Sequence, residues 1–188
     1  MIAVLWDLDG TLADTAADIA DAIDHVLARR GLPPVGEAAV RRFIGDGARQ
    51  LVDRCWAHVG TRATPEDVAD FLAWYGDRLV VRTRVHPPAL RELLPRIDAP
   101  QAIVTNKPER HARHVVDALG LTAHFPVLLG GDTLPTRKPD PAMLHAAVAR
   151  LGATQGVLVG DGPADVEAAH AAGMPVIGVD WGIGTPHG

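Results

Sequence analysis

The sequence predicts an α/β fold: a doubly wound, Rossmann-like parallel sheet with an inserted all-helical cap. Three observations carry this prediction. Short, nearly all-apolar runs alternate with amphipathic stretches, the connections between them are brief, and residues 15–84 depart from that rhythm. The first apolar run is Ile2-Ala-Val-Leu-Trp6, which ends abruptly at Asp7. Runs of the same kind recur at 102–105, 127–129, 157–159 and 175–179. Continuous apolarity, without alternation, is what strands covered on both faces require. Between the later runs, Ala112, Val115, Val116 and Leu119 repeat at helical spacing, as do Leu144, Ala147, Val148 and Leu151, and Val166 with Ala169. Gly120, Gly152 and Gly173 stand where these helices should stop.

About a hundred residues separate the first two predicted strands, and they carry helical stripes only. Ile19, Ile23, Val26 and Leu27 form one stripe; Leu51, Val52, Cys55 and Val59 a second; Val68, Phe71, Leu72 and Leu79 a third. Gly31-Leu-Pro-Pro34 and Phe43-Ile-Gly-Asp-Gly47 interrupt them, and no strand is expected there. The division that follows is a discontinuous α/β core, 1–14 with 85–188, and a helical cap over 15–84.

Composition narrows the function. The 188 residues are 47% apolar and 22% charged, the balance of a globular chain. A net charge of −5 argues against a nucleic-acid binder with a broad basic surface. Cys55 is the one cysteine, so no intrachain disulfide or thiolate metal cage forms. The apolar runs are too short for a signal peptide or membrane span, and a cytoplasmic protein without membrane partners is expected. Of the 18 basic residues only Lys107 and Lys138 are lysines, and both fall inside motifs. An ammonium offers a compact point charge where a guanidinium offers a planar fork.

Ligands of parallel α/β sheets gather at the carboxyl ends of the strands. Here those ends hold Asp7-Leu-Asp-Gly-Thr11, Thr105-Asn-Lys107 and Gly160-Asp-Gly-Pro-Ala-Asp165, with Lys138 preceding a later helix. Carboxylates without His or Cys partners suit a hard cation such as Mg²⁺. Asp7, Asp9 and Asp161 would repel one another in a dry cleft without one. Thr105, Asn106 and Lys138 supply donors and positive charge for a tetrahedral oxyanion. The set suits a metal-bound phosphoryl group.

Asp7-Leu-Asp-Gly-Thr-Leu-Ala-Asp-Thr15, Thr105-Asn106, Lys138 and Asp161 with Asp165 resemble, in order, the four motifs of the haloacid dehalogenase superfamily of phosphatases. Gly31-Leu-Pro-Pro, Val40-Arg-Arg-Phe-Ile-Gly-Asp-Gly-Ala48 and Gly130-Gly-Asp-Thr through Lys138-Pro-Asp-Pro-Ala142 are further similar to phosphoglycolate phosphatases. The resemblance implies Asp7 as nucleophile and Asp9 as general acid and base. It implies Mg²⁺ held by Asp7, the Asp9 carbonyl and Asp161, with Asp165 as ligand or support, and phosphate held by Thr105, Asn106 and Lys138. An acid at Asp9 fits an alkoxide leaving group, not a halide. The partner implied is a small phosphorylated metabolite, handled by a monomer or homodimer. Where the family often has a hydroxyl residue this chain has Gly162, and its end at Gly188 would leave the 175–179 edge less covered than the resemblance implies.

Other readings stay open. A sugar phosphate or nucleotide is an alternative substrate, and a phospho-ligand binder without turnover is an alternative class. Arg41, Arg42 and Arg49 flank the 44–47 loop, either as surface charge or as contacts to a substrate carboxylate. Lys107 reads as a rim charge, His111 and His114 as part of a solvated basic face, and Trp56, Phe71, Trp74 and Tyr75 as helix packing.

Overall fold

The computed structural model describes residues 1–183. Its central sheet has five parallel strands: β1 (Ile2–Trp6), β4 (Gln101–Val104), β5 (Val127–Leu129), β6 (Gln155–Gly160) and β7 (Val176–Gly178). Their order is β5-β4-β1-β6-β7, so β1 lies in the middle and the chain winds first to one side of it, then to the other. That reversal opens a crevice at the carboxyl end of β1, flanked by the ends of β4 and β6.

Successive residues of β1 serve opposite layers. Leu5 packs with Val104, Leu129 and Leu158 beneath α7 (Ala142–Arg150) and α8 (Pro163–Ala171). Trp6 packs with Ile103 and Val159 beneath α6 (Glu109–Ala118). The second cluster does not stop at the sheet. It runs on through Leu8 and Leu12 to Ile23, Trp56 and Phe71 in the inserted helices. These helices are α1 (Ala16–Arg29), α2 (Glu37–Arg41), α3 (Ala48–His58) and α4 (Pro65–Gly76).

Two expectations change. The stretch between β1 and β4 is not wholly helical: β2 (Ala13–Asp14) and β3 (Arg84–Val85) pair antiparallel where the chain leaves for the helices and returns. Two residues per strand leave no periodic pattern to read. Between β3 and β4 lies a short α5 (Leu90–Leu93), also unforeseen. Val166, placed in a buried stripe, is exposed, and α8 instead buries Ala164, Asp165, Ala168 and Ala169. So small a buried face leaves the period of this helix unreadable. β7 is the sheet edge, and Ile177 on it is exposed.

Candidate active site

After β1 the chain turns tightly. The carbonyl of Leu8 accepts from the N–H groups of Thr11, Leu12 and Ala13, and Gly10 donates to the carbonyl of Ala13. Gly10 takes φ +89°, and a Cβ there would collide with the Asp161 carboxylate. Both reasons demand glycine. The turn leaves Asp7 and Asp9 at the crevice, with the Asp7 N–H anchored on the carbonyl of Val159 in β6.

Asp7 is buried, and its Oδ1 lies 2.9 Å from Lys138 Nζ. The same ammonium donates to Asp165 Oδ1 at 2.6 Å. The other Asp165 oxygen accepts from the N–H groups of Asp161 and Gly162, closing the first turn of α8. A Cβ on Gly160 would overlap Asp165, so glycine lets this carboxylate lie against the end of β6. Asp161 accepts from Thr11 Oγ1 at 2.9 Å and from the N–H of Ile183 at 2.8 Å. Burial, with Asp165 and Asp161 nearby, pushes the Asp7 carboxyl up to about 7 against the pull of Lys138. Burial also works against the Lys138 ammonium, but Asp165 and Asp7 outweigh it and hold it above its ordinary range.

One oxygen each from Asp7, Asp161 and Asp165 lie within 4.8 Å of one another. Three carboxylates that close, with one pushed well above its usual range, form a site that fits a divalent cation with oxygen ligands.

Asp9 has different company. Thr15 Oγ1 donates to its Oδ1 at 2.8 Å, and Lys107 Nζ lies 3.0 and 3.1 Å from its two oxygens. Lys107 is no rim charge. It is only 6% exposed, and it also donates to the Tyr75 hydroxyl at 2.8 Å. The two lysines of the chain thus each hold one aspartate of the β1 turn.

Thr105 is buried at the end of β4, with its hydroxyl accepting from the Lys107 N–H, and it lines the same cavity as Asp7. The Asn106 side chain was expected near phosphate, but its amide donates to the carbonyls of Gly45 and Lys138, both at 2.9 Å. Both donors are engaged in tying the 44–47 loop to the Lys138 segment, so the side chain offers phosphate none. Among the three arginines, Arg41 is paired with Asp14 and Glu37, and Arg49 with Asp53. Arg42 alone of them lines a cavity containing Asp7 and Asp161.

Two residues escaped the sequence. Tyr75 packs against Phe71, as helix packing predicts, yet its hydroxyl also reaches Lys107. His114 is exposed as expected, but His111 is half-buried: it packs edge-on against Tyr75, and its Nδ1 is buried without a hydrogen-bond partner among the described residues. Burial and the nearby Lys107 pull its imidazole down to about 4. The only trace either residue leaves in the sequence is its place on a helical stripe.

A central parallel sheet with paired aspartates after its middle strand, a buried lysine on one of them and a further acidic pair after the neighbouring strand define a class. The chain belongs to the haloacid dehalogenase-like hydrolase family, whose model matches residues 4–179. Within it, the chain is similar to phosphoglycolate phosphatases. It is 42% identical to that of Rhodospirillum rubrum, covering 96% of this chain and 80% of the relative. It is 39% identical to that of Mesorhizobium japonicum, covering 98% and 85%. The crystal structure of a predicted phosphoglycolate phosphatase from Haemophilus somnus superposes with a TM-score of 0.87 at 32% identity, over 95% of this chain and 85% of that one. No helix among the described residues is long and apolar enough to cross a membrane.

Proposed function

We propose that this chain is a Mg²⁺-dependent phosphatase of a small phosphorylated acid, phosphoglycolate in the first instance, acting in the cytoplasm through an aspartyl-phosphate. The observation that carries this reading is the buried Asp7 carboxylate, 2.9 Å from Lys138 and grouped with Asp161 and Asp165. A Mg²⁺ ion held by Asp7, Asp161, the Asp9 carbonyl and Asp165 would supply positive charge for the phosphoryl oxygens. Lys138 supplies more from the chain itself, and the Thr105 hydroxyl lines a cavity that Asp7 borders.

Asp7 attacks phosphorus, the bond to the leaving oxygen breaks, and Asp9 gives that oxygen a proton. In the second half Asp9 takes a proton from water, the new P–O bond forms, and the bond to Asp7 breaks. Residues 15–84 form the cap, with β2 and β3 as its two connections to the core at 1–14 and 85–188. Asn106 fastens the cap's 44–47 loop to the Lys138 segment beside the crevice. Arg42 stands in the larger cavity, about 300 Å³, as the contact that greets an anionic substrate; Arg41 and Arg49, engaged with their carboxylate partners, do not line it.

Steady-state hydrolysis of phosphoglycolate, sugar phosphates and nucleoside monophosphates tests the substrate. Phosphoglycolate is expected to have the highest kcat/KM, and a preference for a nucleotide overturns it. Chelation with EDTA is expected to abolish turnover and added Mg²⁺ to restore it. In Asp7→Asn, kcat falls by about a thousandfold or more while the fold persists. Beryllofluoride bound at Asp7 in the wild type, visible by fluorine NMR, separates a catalyst from a mere binder.

A further inference from the structure

Asp7 and Asp9 form the wall between two cavities. The larger one holds Asp161, Asp165, Arg42 and Arg54. The smaller, about 40 Å³, has room for roughly three water-sized groups and lies between the inserted helices and the core. Apolar side chains such as Ile44, Leu51 and Phe71 make up most of its wall. Lys107 is the one cation lining it among the described residues, since His111 is held neutral.

We infer that Lys107 and the Tyr75 hydroxyl form a carboxylate site in the smaller cavity and so set the enzyme's preference for a short, anionic leaving group. This rests on the phosphatase reading above and deepens it. Two buried donors converge here. Lys107 has three N–H bonds, two on the Asp9 oxygens at 3.0 and 3.1 Å and one on Tyr75, and a proton on one Asp9 oxygen frees the N–H that faces it for a newcomer. Tyr75 is 2% exposed, and its hydroxyl accepts from Lys107 while its own proton has no acceptor among the described residues. A buried O–H without an acceptor is costly, and a carboxylate oxygen placed beside Nζ would satisfy it.

The apolar wall sharpens the selection. A carboxylate brought into it is stable only against a counter-charge, and Lys107 supplies one when Asp9 carries the proton that it gives to the leaving oxygen. A neutral leaving group of the same size leaves the Tyr75 proton less well used. The small volume favours a chain of two or three carbons. Asp9, which serves the leaving oxygen, borders the same cavity, so a group bridging Asp9 and Lys107 lies where the scissile oxygen needs its proton.

The experiment compares kcat/KM for phosphoglycolate and for 2-hydroxyethyl phosphate, its neutral counterpart, in the wild type and in Lys107→Met, Tyr75→Phe and Arg42→Met. The wild type is expected to prefer phosphoglycolate by about a hundredfold or more. Lys107→Met slows both substrates because Asp9 loses its brace, and it also collapses the preference to about tenfold or less, through KM for phosphoglycolate. An unchanged ratio in a folded Lys107→Met, with both substrates slowed alike, overturns the inference. So does a ratio that collapses in Arg42→Met and not in Lys107→Met. Where Lys107→Met does not fold, Tyr75→Phe decides: the ratio is expected to drop by about tenfold, and no drop overturns the site. A wild type that hydrolyses both substrates equally rejects the carboxylate site and keeps the phosphatase. Hydrolysis of neither rejects the phosphoglycolate-type substrate itself.

Discussion

His111 shows how a single side chain ties stability to pH. Its imidazole sits at about 4 when folded, because burial and Lys107 disfavour the charged ring, against an ordinary value of 6.5. At this ring the unfolded chain therefore binds more protons between these values, and the contribution of His111 to stability falls as pH drops from 6.5 towards 4, while Asp7, raised to about 7, works the other way. Thermal denaturation is expected to show the Tm of His111→Gln gaining on that of the wild type as pH drops across this interval. An unchanged gap between the two would assign the pH dependence to other groups. Lys107 teaches a related lesson. Its presence in a chain otherwise dependent on arginine was visible, but its burial against Asp9 and Tyr75 was not. Sequence marks a residue as unusual; the partners that give it a role come from elements 98 and 32 positions away.

At the scale of elements, the first turn of α1 does more than begin a helix. Asp18 is buried, and its carboxylate accepts from the backbone N–H groups of Val81, Arg82 and Thr83 as the chain returns to β3. It also faces the positive end of α1. Asp18→Ala is expected to destabilise the protein by about 2–3 kcal/mol in denaturant unfolding, since the Thr83 N–H is left buried without an acceptor. Asp18→Asn, which keeps one acceptor oxygen, should cost less. Helices α1, α3, α4, α6 and α7 were readable from their apolar spacing, and Gly120, Gly152 and Gly173 follow α6, α7 and α8 at φ between +65° and +70°. The β2–β3 ladder was not readable. Its pairing depends on Ala13 and Val85 meeting across 72 positions, a distance that no local period reports.

Over the whole molecule, one apolar cluster spans the sheet face and the inserted helices, from Trp6 and Ile103 to Trp56 and Phe71. A shared core couples the two parts, so calorimetry is expected to show a single unfolding transition. Trp56→Ala, at a fully buried site in that cluster, should lower stability by about 3–5 kcal/mol and shift that transition without splitting it. Two separate peaks would mean that the helices and the sheet unfold independently. The same continuity explains how α4 brings Tyr75 to within 2.8 Å of Lys107 beyond the end of β4.

The order of apolar runs, their lengths and the acidic turns after them were enough to specify a parallel α/β sheet and the carboxylates at its crest. Strand burial and turn chemistry act over a few neighbouring residues, so the linear chain records them. The division of the crevice into an acidic chamber and a small apolar one was decided only on folding, as was the use of Asn106 to fasten the 44–47 loop. Such features arise when side chains from distant segments share one buried volume, where each polar group must find a partner or remain unsatisfied.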